Sequence, residues 1–245
     1  MSIRNFAKSL YLVPAYRKWV VRSRLYFLLF VKRTLRTFET RFAFETTVSH
    51  NLKGLRSFNP RIDLLIKPLS VLELMTKESR ILVIGPRNEH DLFTLIGNGF
   101  SKDRVKGLDL ISYSSLIDLG DMHATKYPDG AWDAVIVGWT LSYSSEPGKF
   151  AREMVRIVKP GGVLAIAVEY ATMTEQDEQA LVGYNIQETG KLHKRINSVK
   201  EILDLFSGHV DHVYFSHDAP LRRAHGKDGL VANVSNVAVI FSLQK

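Results

Sequence analysis

The sequence predicts an α/β fold: a doubly wound, mostly parallel sheet with an antiparallel C-terminal edge pair, preceded by an N-terminal helical extension. Three observations predict it. From Arg80 onward, short β-rich runs alternate with helical stretches, the signature of βαβ units. The first run, Ile81 to Ile84, is wholly apolar, as suits a strand buried on both faces. The last two runs, Val210 to Phe215 and Asn236 to Leu243, have no helical stretch between them, which suits an antiparallel pair at the sheet edge.

The extension comes first in the chain and is taken as residues 1–70, with 71–245 as the α/β domain. Residues 1–42 hold ten Lys/Arg and one acid, Glu39, although the whole chain is only +8. An anionic partner would therefore be met at this segment, the rest being close to neutral. The run Leu25 to Val31 is apolar and flanked by Arg22, Arg24, Lys32 and Arg33. It is too short to span a bilayer, which needs about 20 apolar residues, and no small-residue cleavage site follows it as in a secretory signal. Two uses remain. A helix packed on the domain as a lid is the more common fate; the other is an interfacial helix with Trp19, Phe27 and Phe30 in lipid and arginines against an anionic membrane surface. Residues 43–70 read as connecting and packing structure, with turns at Lys53-Gly54, Asn59-Pro60 and Lys67-Pro68.

In the domain, strand Ile81 to Ile84 ends at Gly85 and a helix is expected over 90–97. A strand over Val105 to Leu108 ends in Asp109, followed by a helical stretch near Tyr113 to Leu119. The turn Pro128-Asp129-Gly130 leads into a strand over Ala134 to Val137. Phe150, Met154, Ile157 and Val158 fall at helical spacing over Pro147 to Val158, stopped by Lys159-Pro160-Gly161-Gly162 before a strand over Val163 to Val168. A helix over Val199 to Phe206 precedes the final two strands. Cysteine is absent, which excludes disulfides, thiolate metal sites and cysteine nucleophiles and fits a reducing cytoplasm.

Open α/β sheets bind nucleotide-like ligands at the carboxyl ends of their strands, where the next helix N-terminus faces the crevice. Here that loop is Gly85-Pro86-Arg87-Asn88-Glu89, in which Gly85 permits close backbone approach and Asn88 can cap the following helix. Asp109 ends the second strand about 20 residues further on, the spacing at which a carboxylate accepts ribose hydroxyls.

The stretches Arg80-Ile-Leu-Val-Ile-Gly85, Val105-Lys-Gly-Leu-Asp109, Gly120-Asp-Met-His-Ala124, Tyr127-Pro-Asp-Gly-Ala-Trp-Asp-Ala-Val-Ile-Val137 and Arg152-Glu-Met-Val-Arg-Ile-Val-Lys-Pro-Gly-Gly162 stand in this order. Together they resemble the class I, Rossmann-like S-adenosylmethionine-dependent methyltransferases, especially the subgroup acting on small molecules, lipids and sugars. The resemblance covers residues 78–170 and implies a seven-stranded sheet with S-adenosylmethionine as cofactor. It implies that Gly85, Pro86, Arg87 and Asn88 approach the methionine portion and that Asp109, with Leu110 beside it, binds the ribose. Asp121 and Met122 would frame the adenine, while Gly138, Trp139 and Thr140 would face the sulfonium and the acceptor. The chain departs from the family's usual Gly-x-Gly-x-Gly loop at Arg87 and Glu89.

A hydroxyl acceptor needs a base near the transfer point. Glu169 and Tyr170, at a strand's carboxyl end, rank first as catalytic candidates, with His123 and His193 after them. No metal is expected, because His209, Asp211, His212 and His217 alternate through a strand without an established ligand spacing. The function expected is methylation of a small-molecule, saccharide-linked or lipid-linked acceptor, in the cytoplasm or at a membrane surface. Two alternatives stand beside it. The altered first loop suits a non-catalytic binding or assembly subunit, and the basic arm with Tyr11, Tyr16, Trp19 and Tyr26 suits nucleic-acid methylation. Against the latter, the domain is not basic, and Gly138-Trp-Thr-Leu-Ser-Tyr143 stands where a base-amine motif would be.

Overall fold

The computed structural model describes residues 9–38, 45–58, 60–144, 146–171, 196–218, 222–225 and 231–244. Seven strands form the continuous path of the main sheet: β1 Ile81–Ile84, β2 Val105–Asp109, β3 Ile117–Leu119, β4 Trp132–Gly138, β5 Val158–Ala171, β6 Val210–Asp218 and β7 Val231–Leu243. Their order across the sheet is β3-β2-β1-β4-β5-β7-β6. All neighbours are parallel except β7, which runs antiparallel to both β5 and β6. The short strand Arg222–His225 also pairs with β7. The expected seven-stranded, mostly parallel sheet with antiparallel C-terminal strands is therefore observed.

Helices α1 Pro14–Tyr26, α2 Glu45–Lys53, α3 Asp63–Ser70, α4 His90–Gly97, α5 Pro147–Ile157 and α6 Val199–Leu205 accompany the sheet. Alternation along β1 shows the layering. Ile81 and Val83 join a core cluster with Leu65, Ile66, Leu69, Leu92 and Leu95 of α3 and α4, whereas Leu82 and Ile84 join Phe150, Met154, Ile157, Ile202 and Phe206 on the other face. Both faces are thus buried, which explains the unbroken apolar run.

One expected element is different. The stretch Tyr113 to Leu119 is not helical: its second half is β3, which pairs Gly107 with Ile117 and Asp109 with Leu119. Ser114 turns the chain there, its Oγ accepting from the Leu116 amide at 3.0 Å and its carbonyl from the Ile117 amide at 3.1 Å. Serine competes with helical backbone bonding in this way, and Ile117 gains a sheet partner instead. Further on, Val158-Lys-Pro-Gly-Gly162 ends α5 as expected but also opens β5, with a register shift after Trp132 and Gly161 at φ +75°.

The N-terminal helix packs on α4. Val21 is fully buried against Phe93 and Ile96, and Leu25 reaches the main core. Arg17 Nε donates to His90 Nε2 at 3.2 Å, and Arg24 forks onto Glu89 with Nε and Nη2 contacts of 2.7 and 2.8 Å. Phe27–Val31 continues α1 as one π-helical turn, after which Arg36–Thr37 pairs with Ile111–Ser112 beside β2.

Candidate functional site

A cavity of about 360 Å³ opens at the carboxyl ends of β1, β2 and β4, within the range of about 300–1,000 Å³ common for small-molecule sites. Gly85, Pro86, Arg87, Asn88, Asp109, Leu110, Asp121, Met122, Gly138 and Trp139 all line it, as does His123. The topology explains the convergence, because β1 lies between β2 and β4 and all three end at one edge.

Each residue of the loop after β1 has a distinct placement. Gly85 has φ +66°, and a Cβ there would stand 2.3 Å from Thr140 Oγ1. Thr140 in turn donates to the Ile84 carbonyl at 3.1 Å, tying this loop to the one after β4. Gly85→Ala is therefore expected to lose ~1–2 kcal/mol from the left-handed backbone alone, and more from the steric contact, read as a lower unfolding midpoint in urea. Arg87 also adopts a positive φ, +57°, where the common pattern of this loop has glycine. Its guanidinium lies against Gly54, where an added Cβ would be 2.4 Å from Nη1. Asn88 Oδ1 accepts from the His90 amide at 2.9 Å; it does so from the position before the N-cap, which is Glu89, so Asn88 is not itself the cap residue of α4. Its amide also donates to the carbonyls of Leu55 and Ser57 at 3.0 and 2.7 Å. Glu89 is turned out of the loop into the interior, where it is fully buried, forked by Arg24 and hydrogen-bonded by the Ser114 hydroxyl. The two departures from a glycine loop are thus accommodated without filling the cavity.

Asp109 is the buried anion of the site. It is 3% exposed, and its carboxylate accepts from the Arg87 amide at 2.8 Å, Asn51 Nδ2 at 3.1 Å and the Ile111 amide at 3.2 Å. Burial pushes its pKa up to about 6, against the opposing pull of those backbone donors.

On the far side, Asp121 Oδ1 accepts from the His123 amide at 2.9 Å and lies 2.6 Å from His123 Nδ1, while His123 Nε2 lies 2.7 Å from Ser144 Oγ. Burial alone would raise the Asp121 pKa, but the hydrogen bonds from His123 outweigh it and hold this carboxyl below its usual range. Both ring nitrogens of His123 are engaged, so any proton it takes from a ligand would pass through Ser144. Trp139, at φ +64°, is 6% exposed, and its indole Nε1 has no hydrogen-bond partner. Arg61 lies over its ring at 4.5 Å and forms a 3.2 Å ion pair with Glu169. Glu169 and Tyr170 are not in the cavity lining; Arg61, which is, links Glu169 to it. His193 lies outside the described residues. Among the described residues, no group of three or more His, Cys, Asp and Glu is placed to hold a metal ion.

Sequence reasoning missed the wall contributed by residues 51–61. Asn51, Ser57, Phe58 and Arg61 all line the cavity, as does Tyr143. The paired turn signals at Lys53-Gly54 and Asn59-Pro60 mark this segment as connecting and packing structure, and nothing in it indicates a partner.

Comparison with known proteins agrees with this geometry. Residues 100–166 match the methyltransferase domain family. A demethylmenaquinone methyltransferase of Renibacterium salmoninarum is 42% identical over 48 residues, covering 20% of this chain; the match spans 20% of that relative's length. Among solved structures, one from the complex between the Haloferax volcanii Trm112 methyltransferase activator and a methyltransferase aligns with a TM-score of 0.55 at 16% identity, over 84% of this chain and 98% of that one. The YcgJ protein of Bacillus subtilis aligns with a TM-score of 0.51 at 14% identity, over 75% and 97%. By fold the chain is Rossmann-like, and it is the stretch over residues 100–166 that carries the match to the methyltransferase domain family.

Proposed function

We propose that the protein transfers a methyl group from S-adenosylmethionine to a hydroxyl of a small-molecule, saccharide-linked or lipid-linked acceptor. The observation that carries this reading is the buried Asp109 carboxylate, at the end of the strand beside the Gly85 loop and inside one cavity with Asp121, Met122 and Trp139. The donor and acceptor set fits the cofactor. A ribose diol offers two hydroxyl donors to Asp109, Leu110 and Met122 offer apolar contact to an adenine, and Asp121 is a carboxylate for its amino group. Gly85 and Pro86 line the cavity where the methionine portion would lie. When bound, the cofactor supplies a methyl group already activated on sulfur, so the protein's part is alignment and exclusion of water.

At the acceptor end, Arg61 and Trp139 form the wall and Arg61 holds Glu169 at its rim. We assign Glu169 to accept the hydroxyl proton once Arg61 turns to the acceptor, with His123 acting through Ser144 as the second route. Glu169→Gln is expected to lower kcat at least tenfold with cofactor affinity unchanged, and equal kcat in the variant would remove the assignment. A reducing cytoplasm is the compartment this reading takes, on the absence of cysteine. The reading as a non-catalytic binding subunit rested on Arg87 and Glu89; it is weakened because one lies against Gly54 and the other pairs with Arg24.

The test is incubation of the protein with methyl-deuterated S-adenosylmethionine and separate polar and lipid extracts, followed by mass spectrometry. A labelled product made by the native chain and absent with Asp109→Ala supports the reading. Cofactor binding with no labelled product from any extract favours the non-catalytic subunit.

A further inference from the structure

The outer face of the N-terminal helix has an unusual composition for a surface in water. α1 buries Arg17, Val21 and Leu25, spaced four residues apart. At about 100° per residue, Trp19 and Tyr26 fall within about 20° of one another on the opposite side, where they are joined by Phe30 of the π-helical turn. They are 64%, 45% and 61% exposed, and the rings of Tyr26 and Phe30 stack with centroids 5.6 Å apart. Phe27 and Val31, on the π-helical turn, extend the apolar surface at 49% and 66% exposure. Exposed Lys18, Arg22, Lys32, Arg33 and Arg36 surround it, and no acid occurs between Pro14 and Phe38. Lys32 Nζ stands 5.9 Å from the Phe27 ring centroid and the Arg56 guanidinium 5.1 Å from that of Tyr26, so cations already edge the rings.

We infer that this face docks on an anionic lipid bilayer, with Trp19, Tyr26, Phe27 and Phe30 at headgroup and upper acyl depth and the surrounding Lys and Arg against lipid phosphates and carboxylates. Aromatic residues favour that depth because one part of the ring system is apolar and another tolerates water, and each basic residue near an anionic surface adds to the attraction. The helix lies on the membrane and does not cross it: among the described residues no helix is long and apolar enough to span one. A second copy of the chain fits this face poorly, since two-fold pairing would bring two acid-free cationic helices together. Nucleic acid is less well matched, because Phe27, Phe30 and Val31 offer no hydrogen bonds to bases or sugar. The same helix grips the loop after β1 through Arg24 and Glu89, so docking would hold that side of the molecule close to the bilayer. The inference does not depend on methyl transfer.

The full chain should be floated with vesicles of phosphatidylcholine alone and of phosphatidylcholine with about a third phosphatidylserine, at low and high salt. Flotation with the anionic vesicles, reduced by salt, is the expected result. Trp19→Ser/Phe30→Ser should cut the bound fraction at least tenfold while leaving the melting temperature unchanged, as both side chains are exposed. Three results would overturn the inference: no flotation of the native chain, equal flotation of the double variant, or a dimer seen by light scattering that the double variant abolishes in a protein that does not bind vesicles.

Discussion

Asp109→Ala is expected to weaken S-adenosylmethionine binding tenfold to a hundredfold, the equivalent of about 1.4–2.8 kcal/mol. The reason is that a ribose diol buried beside Asp109 would lose a charged acceptor and gain no water in its place. The pH dependence follows from the same carboxylate. Its pKa is raised to about 6 in the folded protein, and hydroxyl donors favour the ionised form, so cofactor affinity should fall as pH drops through about 6. For folding the sign is the reverse. A raised folded-state value means that the stabilising contribution of the protonated form is fully present below the unfolded value near 3.8 and is lost as pH rises through about 6. Keeping this carboxylate ionised at neutral pH therefore costs about 3 kcal/mol, which ligand hydroxyls partly offset. Titration calorimetry at pH 5, 6, 7 and 8 checks the first statement, since the native chain should show the drop in affinity and Asp109→Ala a weak, nearly flat profile; urea unfolding across the same pH values checks the second.

Arg24→Ala should produce a large loss of stability. Glu89 is fully buried, and removing its guanidinium partner leaves an anion in the interior; breaking such a pair costs about 3–5 kcal/mol. The lower figure is expected because the Arg24 side chain is 35% exposed and partly screened. That corresponds to a fall of roughly 6–12 °C in Tm for a chain of this size. Arg24→Ala/Glu89→Gln should recover much of the loss, since no charge is then stranded, and a double-mutant cycle reads the coupling. A single-variant loss below about 1 kcal/mol would mean that the pair does not hold the helix. Because Glu89 follows Asn88, which holds the Leu55 and Ser57 carbonyls, the single variant should also admit protease between α2 and α3.

The parts of the molecule legible in the sequence are those governed by short-range pattern. The apolar run of β1, the helical spacing of Phe150, Met154 and Ile157 and the Lys-Pro-Gly-Gly stop each state their own conformation. β3 was hidden because it has three residues, too few to show alternation, and because its identity depends on pairing with Gly107. The cavity's floor was readable from strand ends, whereas its wall was not. Asn51 meets Asp109 across 58 positions and Asn88 reaches Leu55 across 33, and such hydrogen bonds leave no local signature. The same holds for Glu89. In the sequence it is a departure from a glycine loop, and only its meeting with Arg24, 65 residues earlier, shows it to be the anchor of the extension.

The measurement that most directly tests the central claim is calorimetric titration of the ligand-free full chain with S-adenosylmethionine and, separately, with S-adenosylhomocysteine. One-site binding of both, with Kd on the order of micromolar and an affinity reduced at least tenfold by Asp109→Ala, is the predicted result. No heat of binding and no rise in melting temperature with either ligand, from protein that is folded and free of bound nucleoside, would contradict it.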